Sequence, residues 1–343
     1  MVSWRERGRW RLPLAFEAAG FEIQTLCPAL LGEPFPRFVR RLSEKLSNLY
    51  LPLRAFLTMS RKDVWLTWNL RLSVVVGLLK RLLAPVSPTP LHIARDFHLD
   101  FSRMHEPGYK LRLRLVALAI KGMDQILVTS HKEERLYAAM FGLPVERFRF
   151  LPDTPPGEFA ETPDVPPGDY VFAHGASDRD FDALLAAAPL LDAPVRILSQ
   201  TYTPAVPEPA NVSLIRDYVS QAELIALIQG ARCCVVPLKD RNVAAGQNSM
   251  LEVMALGRPL VITENLATVE YADDGESALF YQAGDAADLA RCVRRILAAP
   301  EESEAMGQRA RARAWKLGAE QFEILRDVLR DVTQRFSDYP EGS

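Results

Sequence analysis

Read from the amino terminus, residues 4–19 form a helical pattern and Gly20 stands where such a helix stops. Residues 21–26 read as a strand. Residues 36–58 interleave basic and apolar positions as an amphipathic helix or pair of helices does. A short buried strand follows at 63–68, a helix at 69–83, a proline-rich loop at 84–90 and a strand at 91–95. A polar, histidine-bearing loop then leads to a helix at 109–122, a strand at 125–129, a helix at 132–141 and a strand at 148–151. Alternation of this kind predicts a parallel sheet flanked by helices. Residues 152–169 (PDTPPGEFAETPDVPPGD) hold six prolines and read as a linker. Beyond it the alternation resumes. Strands are expected at 170–173, 195–199, 212–215, 233–237, 260–263 and 278–281, and helices at 180–187, 221–230, 286–298 and about 302–336. The expected fold is α/β, with two Rossmann-like, doubly wound domains in tandem and a deep cleft between them. The expected boundaries are 1–151 for the first domain and 152–169 for the linker. The second domain is expected at 170–315, with a terminal helix at 316–343 returning toward the first.

The most informative stretch is residues 235–263, VVPLKDRNVAAGQNSMLEVMALGRPLVIT. It reads as strand, polar loop, Gly-Gln-Asn-Ser turn, short helix, Gly257 stop and second strand. The turn of Gly246, Gln247, Asn248 and Ser249 opens a helix whose unpaired N–H groups and positive end suit a diphosphate. Glu252, about one turn inside, offers a carboxylate to a vicinal diol.

The chain has 343 residues, of which 48% are apolar and 24% charged, as in a globular protein large enough for two cores. Net charge is only −2, but it is unevenly placed. Residues 1–160 carry 24 Lys and Arg against 15 Asp and Glu, and residues 161–343 carry 17 against 28. A basic first half points to an anionic neighbour. Because its cations alternate with leucines and aromatics, an anionic membrane surface is expected rather than nucleic acid. The longest apolar run, near 73–79, is closed by Lys80 and Arg81, too short to span a bilayer. The basic start lacks a signal-type apolar core. A cytoplasmic protein is expected, peripheral on the inner membrane face. Cys27, Cys233, Cys234 and Cys292 make no disulfide framework and no metal spacing, so no metal site is expected.

Five blocks together resemble the GT-B glycosyltransferases, and most closely their family 4 (glycosyl transferase group 1). They are DQILVTSHKEERLYAAMFGLP (124–144), YVFAHGASDRDFDALLAAA (170–188), VSQAELIALIQGARCCVVPL (219–238), GQNSMLEVMALGRPLVIT (246–263) and DDGESALFYQAGDAADLARCVRRIL (273–297). The resemblance covers about residues 120–320. It implies a nucleoside-diphosphate sugar as co-substrate, with no cofactor and no metal. It also implies that Glu252 bonds the nucleotide ribose. Gly175 lets the main chain approach a ligand. Arg179, Lys239 and Arg241 are candidates to face the donor phosphates, and Tyr218 and Val219 lie where the family's main chain meets the nucleobase. Solvated loop charges are the plainer reading of the three cations. Asp178-Arg179-Asp180 matches the Asp-x-Asp string of metal-dependent GT-A enzymes, but Asp180 reads as a helix N-cap. His131 reads as another cap.

The sequence departs from the family twice. Ala244 stands eight residues before Glu252, where the family places a first glutamate. The chain also begins almost at the family's first helix, so either the first strand is absent or the recorded start is internal. In the loop after the 91–95 strand, Asp96 and His98 are candidate general bases for an acceptor hydroxyl. A retaining enzyme of the family needs no protein base. The expectation is therefore a metal-independent, hexosyltransferase-like enzyme. Its acceptor would be lipid-linked or a cell-envelope glycan, as in polysaccharide biosynthesis. The alternatives are a non-catalytic GT-B paralogue acting as partner or scaffold, and a sugar-nucleotide epimerase.

Overall fold

A computed structural model describes residues 22, 50, 52–53, 56, 63–84, 89–95, 97, 99–100, 105–160, 162–239 and 243–337. The expected helix at 4–19, the Gly20 stop, the strand at 21–26 apart from residue 22, and Cys27 lie outside the described residues. So does most of the amphipathic segment at 36–58. The chain divides into two compact units. Among the described residues, the first comprises those from Glu22 to Leu151 together with those from Ile324. The second is Pro152–Glu323.

Four strands of the first unit form a parallel sheet in the order β1-β2-β3-β4: β1 (Val64–Thr67), β2 (Leu91–Ala94), β3 (Gln125–Val128) and β4 (Phe148–Phe150). The crossovers are the helices α1 (Leu70–Leu83), α2 (Pro107–Ala119) and α3 (His131–Phe141). Asn69 caps α1 by accepting Leu72 N–H at 2.9 Å. Ser130, not His131, caps α3 by accepting Lys132 N–H at 3.1 Å. His131 is the first helical residue, and its Nδ1 pairs with Glu134 at 3.0 Å. The helix α1 packs closely on the turn after α2, because Gly77 and Gly122 leave no side chain between the two backbones. Ala94, Ile126 and Val128 pack with Val116, Ile120, Met123, Tyr137 and Phe148 into the core.

Polar groups are also enclosed in this unit. Thr67 Oγ1 lies 2.7 Å from Ser73 Oγ and 2.8 Å from His92 Nε2. The His92 N–H donates to Asp124 Oδ2 at 2.7 Å, and the same oxygen pairs with Lys80. Burial, then the Lys80 charge, holds His92 well below the usual histidine pKa. Burial likewise lowers Lys80, against the pull of Asp124. His92 Nδ1 is buried without a hydrogen-bond partner among the described residues.

The second unit has a six-stranded parallel sheet in the order β10-β9-β8-β5-β6-β7. Its strands are β5 (Tyr170–His174), β6 (Val195–Leu198), β7 (Val212–Ile215), β8 (Ala231–Val236), β9 (Leu260–Thr263) and β10 (Leu279–Tyr281). Both faces of the central strands are covered, which is why β5 and β9 are buried at every position. Around them run α4 (Phe181–Ala187), α5 (Gln221–Gln229), α6 (Gln247–Ala255), the short α7 (Thr268–Tyr271), α8 (Ala286–Ala298) and the first part of α9 (Pro300–Ser337), whose residues from Ile324 belong to the first unit. Val171, Ala173, Leu184, Val195, Ile197, Val235, Val261 and Val293 share one core. Cys233, Cys234 and Cys292 are buried free thiols, each with its pKa raised chiefly by burial.

The proline-rich segment does pack, contrary to its composition. Phe159 is fully buried, and Gly168 N–H donates to Gly230 O at 2.9 Å. Asp153 N–H donates to Tyr271 Oη at 3.0 Å, and Gln229 Nε2 and Gln321 Nε2 each donate to a proline carbonyl at 2.6 Å. Prolines cannot donate, but their carbonyls can accept, and that is how this stretch is tied to the second unit.

Candidate functional site

The strand order places the site. From β5, the chain goes to β6 and β7 on one side and then crosses to β8, β9 and β10 on the other. Strands β5 and β8 are therefore the topological switch point, and ligands of such sheets sit beyond the carboxyl ends of these two strands. The segments leaving them are zipped together. Arg179 and Leu238 form an antiparallel bridge, Asp180 N–H donates to Pro237 O at 3.0 Å, and Lys239 N–H donates to Asp178 O at 3.1 Å. Asp178 takes the left-handed conformation (φ 59°) needed for this turn. Asp180 then caps α4 by accepting Ala183 N–H at 3.1 Å, as the sequence indicates.

Two side chains from the β5 side hold the first turns of α6. His174, the last residue of β5, places Nε2 2.8 Å from Glu252 Oε2. An ionised carboxylate only accepts, so the imidazole N–H donates. Phe172 stacks on the His174 ring, with centroids 5.4 Å apart and planes 15° apart, and fixes its orientation. Arg179 turns back over the strand end. Its Nε donates to His174 O at 3.1 Å, one terminal nitrogen to Ser177 O at 2.7 Å and the other to Ser249 Oγ at 2.7 Å. Ser249 and Glu252 are three apart on α6 and so share a face. Burial lowers the Arg179 pKa to about 10, with Asp178 and Glu252 opposing, so the guanidinium stays charged at neutral pH.

Glycines permit this geometry for reasons the sequence conceals. Gly175 has φ 127°, and a Cβ there would run into the Arg179 guanidinium. Its bareness makes room for a side chain of the same loop. Gly246 caps α6 with φ 95°, and a Cβ would meet Leu238 Cδ1 at 2.7 Å. The loop before it is pinned from β9: Leu238 N–H donates to Thr263 Oγ1 at 2.8 Å, and Asn265 Nδ2 donates to Ala245 O at 3.2 Å.

Among the residues expected from sequence, the structure brings together Gly175, Arg179, Gly246, Ser249 and Glu252. Gln247 is buried and Asn248 exposed on the first turn of α6. Lys239 is exposed, with its backbone in the zipper. Val219 is half-buried, whereas Tyr218 is 82% exposed. Arg241, Asp96 and His98 lie outside the described residues. The neighbours of the last two are anchored. Arg95 stacks on Trp68 with its guanidinium 4.6 Å from the ring, and Phe97 and Leu99 are buried. Leu99 N–H donates to Tyr137 Oη at 3.3 Å and Asp100 N–H to Tyr109 Oη at 2.7 Å. Tyr137 in turn donates to the buried Glu133 at 2.8 Å. Sequence reasoning missed His174, Thr263 and Asn265. The available signal was a polar residue closing or following an apolar strand.

The strand order reverses in the second unit, whereas the described strands of the first run in sequential order, not doubly wound as expected. The two parallel-sheet, Rossmann-like units define a GT-B fold. The solved structures it resembles include sucrose-phosphate synthase from Thermosynechococcus elongatus (16% identity, 97% of this chain and 92% of that one, TM-score 0.65). They also include HepE from Anabaena in complex with UDP-glucose (13% identity, 85% and 82%, TM-score 0.62). A third is the α,α-trehalose 6-phosphate synthase from Burkholderia multivorans (14% identity, 88% and 78%, TM-score 0.62). Among curated proteins no sequence matches. Residues 170–299, which lie within the second unit, match the family model of glycosyl transferases group 1.

Proposed function

We propose that the protein transfers a hexosyl group from a nucleoside-diphosphate sugar to a lipid-linked or cell-envelope glycan acceptor, without a metal. The observation that carries this reading is the meeting of Glu252, Ser249 and Arg179 with the N-terminus of α6 at the β5–β8 switch point. HepE, which shares the fold, was crystallised with UDP-glucose. In this reading Glu252 accepts from the ribose hydroxyls while His174 holds its other side. The amide end of α6 and the Arg179 charge stabilise the diphosphate as its bond to the anomeric carbon breaks. The acceptor oxygen forms the new bond to that carbon. Its proton passes to Asp96 or His98 if the sugar inverts, or to the departing phosphate if it is retained. Most of the acceleration comes from positioning and charge stabilisation.

The setting we infer is the cytoplasmic face of an anionic membrane, where such an acceptor would be presented. Lys239, Arg241, Tyr218 and Val219 would line the donor's phosphates and base.

Isothermal titration with UDP and GDP tests the donor. One nucleotide should bind, and Glu252→Ala should weaken it. A folded protein that binds neither would instead support a non-catalytic partner of GT-B fold. Two observations favour that second reading: Ala244 replaces a glutamate, and Arg179 already spends its donors on His174, Ser177 and Ser249.

A further inference from the structure

The helix α2 is apolar on two sides, and the core uses only one. Tyr109, Val116 and Ala119 are buried. Leu111, Leu115 and Leu118 are not: they are 61%, 45% and 46% exposed. Spaced i, i+4 and i+7, they form one stripe along the helix. At about 100° per residue, Lys110 and Arg114 flank the stripe on one side and Arg112 on the other. All three cations are exposed. No acidic residue occurs from Pro107 to Gly122. The end of α1 extends this surface. Arg81 donates to Leu118 O at 3.4 Å, and the next residue, Leu82, is 72% exposed. The helix α1 also has no acidic residue.

A single exposed leucine needs no explanation. A leucine stripe bordered on both flanks by cations has the form of a helix lying in a bilayer interface. Charge selects the occupant. A second copy of this face would set cation against cation. Residues 36–57 of this chain carry five Lys and Arg against one Glu, the same sign again. Nucleic acid would satisfy the cations and leave the leucines wet. An anionic lipid surface satisfies both, with phosphates for the cations and acyl chains for the leucines.

We propose that the Leu111–Leu115–Leu118 stripe of α2, with its flanking cations, docks the first unit on an anionic bilayer. The proposal deepens the membrane part of the function inferred above and rests on it, but it does not depend on donor binding. The full chain should co-sediment with vesicles of phosphatidylcholine containing about a third phosphatidylglycerol, and not with phosphatidylcholine alone. Leu111→Ser, Leu115→Ser and Leu118→Ser together should lower partition at least about tenfold. Arg112→Gln with Arg114→Gln should lower it by roughly tenfold and weaken its salt dependence. These side chains point to solvent, so the circular-dichroism melt should stay unchanged. The surface is overturned if the leucine variant co-sediments like wild type. It is also overturned if that variant alters only oligomeric state on gel filtration, or if the wild type is retained on DNA but not on vesicles. UDP titration of the same preparations keeps the two readings apart. Vesicle binding lost with UDP affinity kept supports the surface. Vesicle binding kept without UDP affinity sinks the donor reading and leaves the surface standing.

Discussion

In the second unit His174, Arg179, Ser249 and Glu252 gather at the carboxyl ends of β5 and β8. In the first, Thr67, Ser73, Lys80, His92 and Asp124 gather within the unit, and His92 and Lys80 are buried. Both groups are hydrogen-bonded networks on parallel sheets. Their consequences differ because of where they lie. Groups at strand ends border the core, and a ligand's hydroxyls and phosphates can replace their partners. Groups within the unit have no such exchange open to them. They hold β1, β2 and α1 in place, and their cost appears when a proton must be added.

The largest effect expected on either side of that contrast is steric. Gly122→Ala would drive a Cβ into the carbonyl of Gly77, where backbone and not a flexible side chain must give way. A loss of about 2–4 kcal/mol is expected in urea unfolding of the first unit. UDP affinity below the transition should hold, and an equal loss of it would mean the contrast between the units is false.

Glu252→Ala comes next. It removes an acceptor but no core packing, so nucleotide affinity should fall roughly 30- to 100-fold in calorimetry, while stability falls only by the about 1–3 kcal/mol of leaving the His174 N–H without its acceptor. The reverse outcome, a large stability loss with affinity intact, would make the His174–Glu252 pair a structural clamp.

The enclosed network should show itself through pH. His92 is held neutral in the folded state, its pKa lowered by burial and by Lys80, while the unfolded chain takes up a proton near pH 6.5. The unfolded state therefore binds more protons below that pH, and stability falls as pH falls. The slope approaches about 1.4 kcal/mol per pH unit. His92→Gln should flatten the urea-midpoint profile between about pH 6.5 and 5. An unaltered profile would assign the acid sensitivity elsewhere. The Arg179 site should behave oppositely, with no change in nucleotide affinity from Arg179 titration near neutrality, because its pKa stays at about 10.

The smallest change is Arg179→Lys. It keeps the charge but cannot reach His174 O, Ser177 O and Ser249 Oγ together, so about tenfold weaker donor binding is expected. Equal affinity would show that the guanidinium matters only as a charge.

By itself the sequence determined what depends on near neighbours. Apolar runs such as 233–237 and 260–263 announce strands buried on both faces. Glycines and Asp180 mark turns and caps, and the spacing from Gly246 to Glu252 sets a carboxylate one turn inside a helix start. Only the tertiary structure decided which loops meet. The crossing from β7 through α5 to β8 returns the chain to the side of β5, so His174 lies beside Glu252 across 78 residues. The same crossing lays the segment around Leu238 on Arg179 and gives Gly175 its reason, room for that guanidinium. It also left no local sign that Phe159 would bury a proline-rich segment, or that Leu111, Leu115 and Leu118 would face outward while Val116 faced in. Periodicity reports a helix's faces, but which face is covered depends on strand order, and strand order is fixed by contacts far apart along the chain.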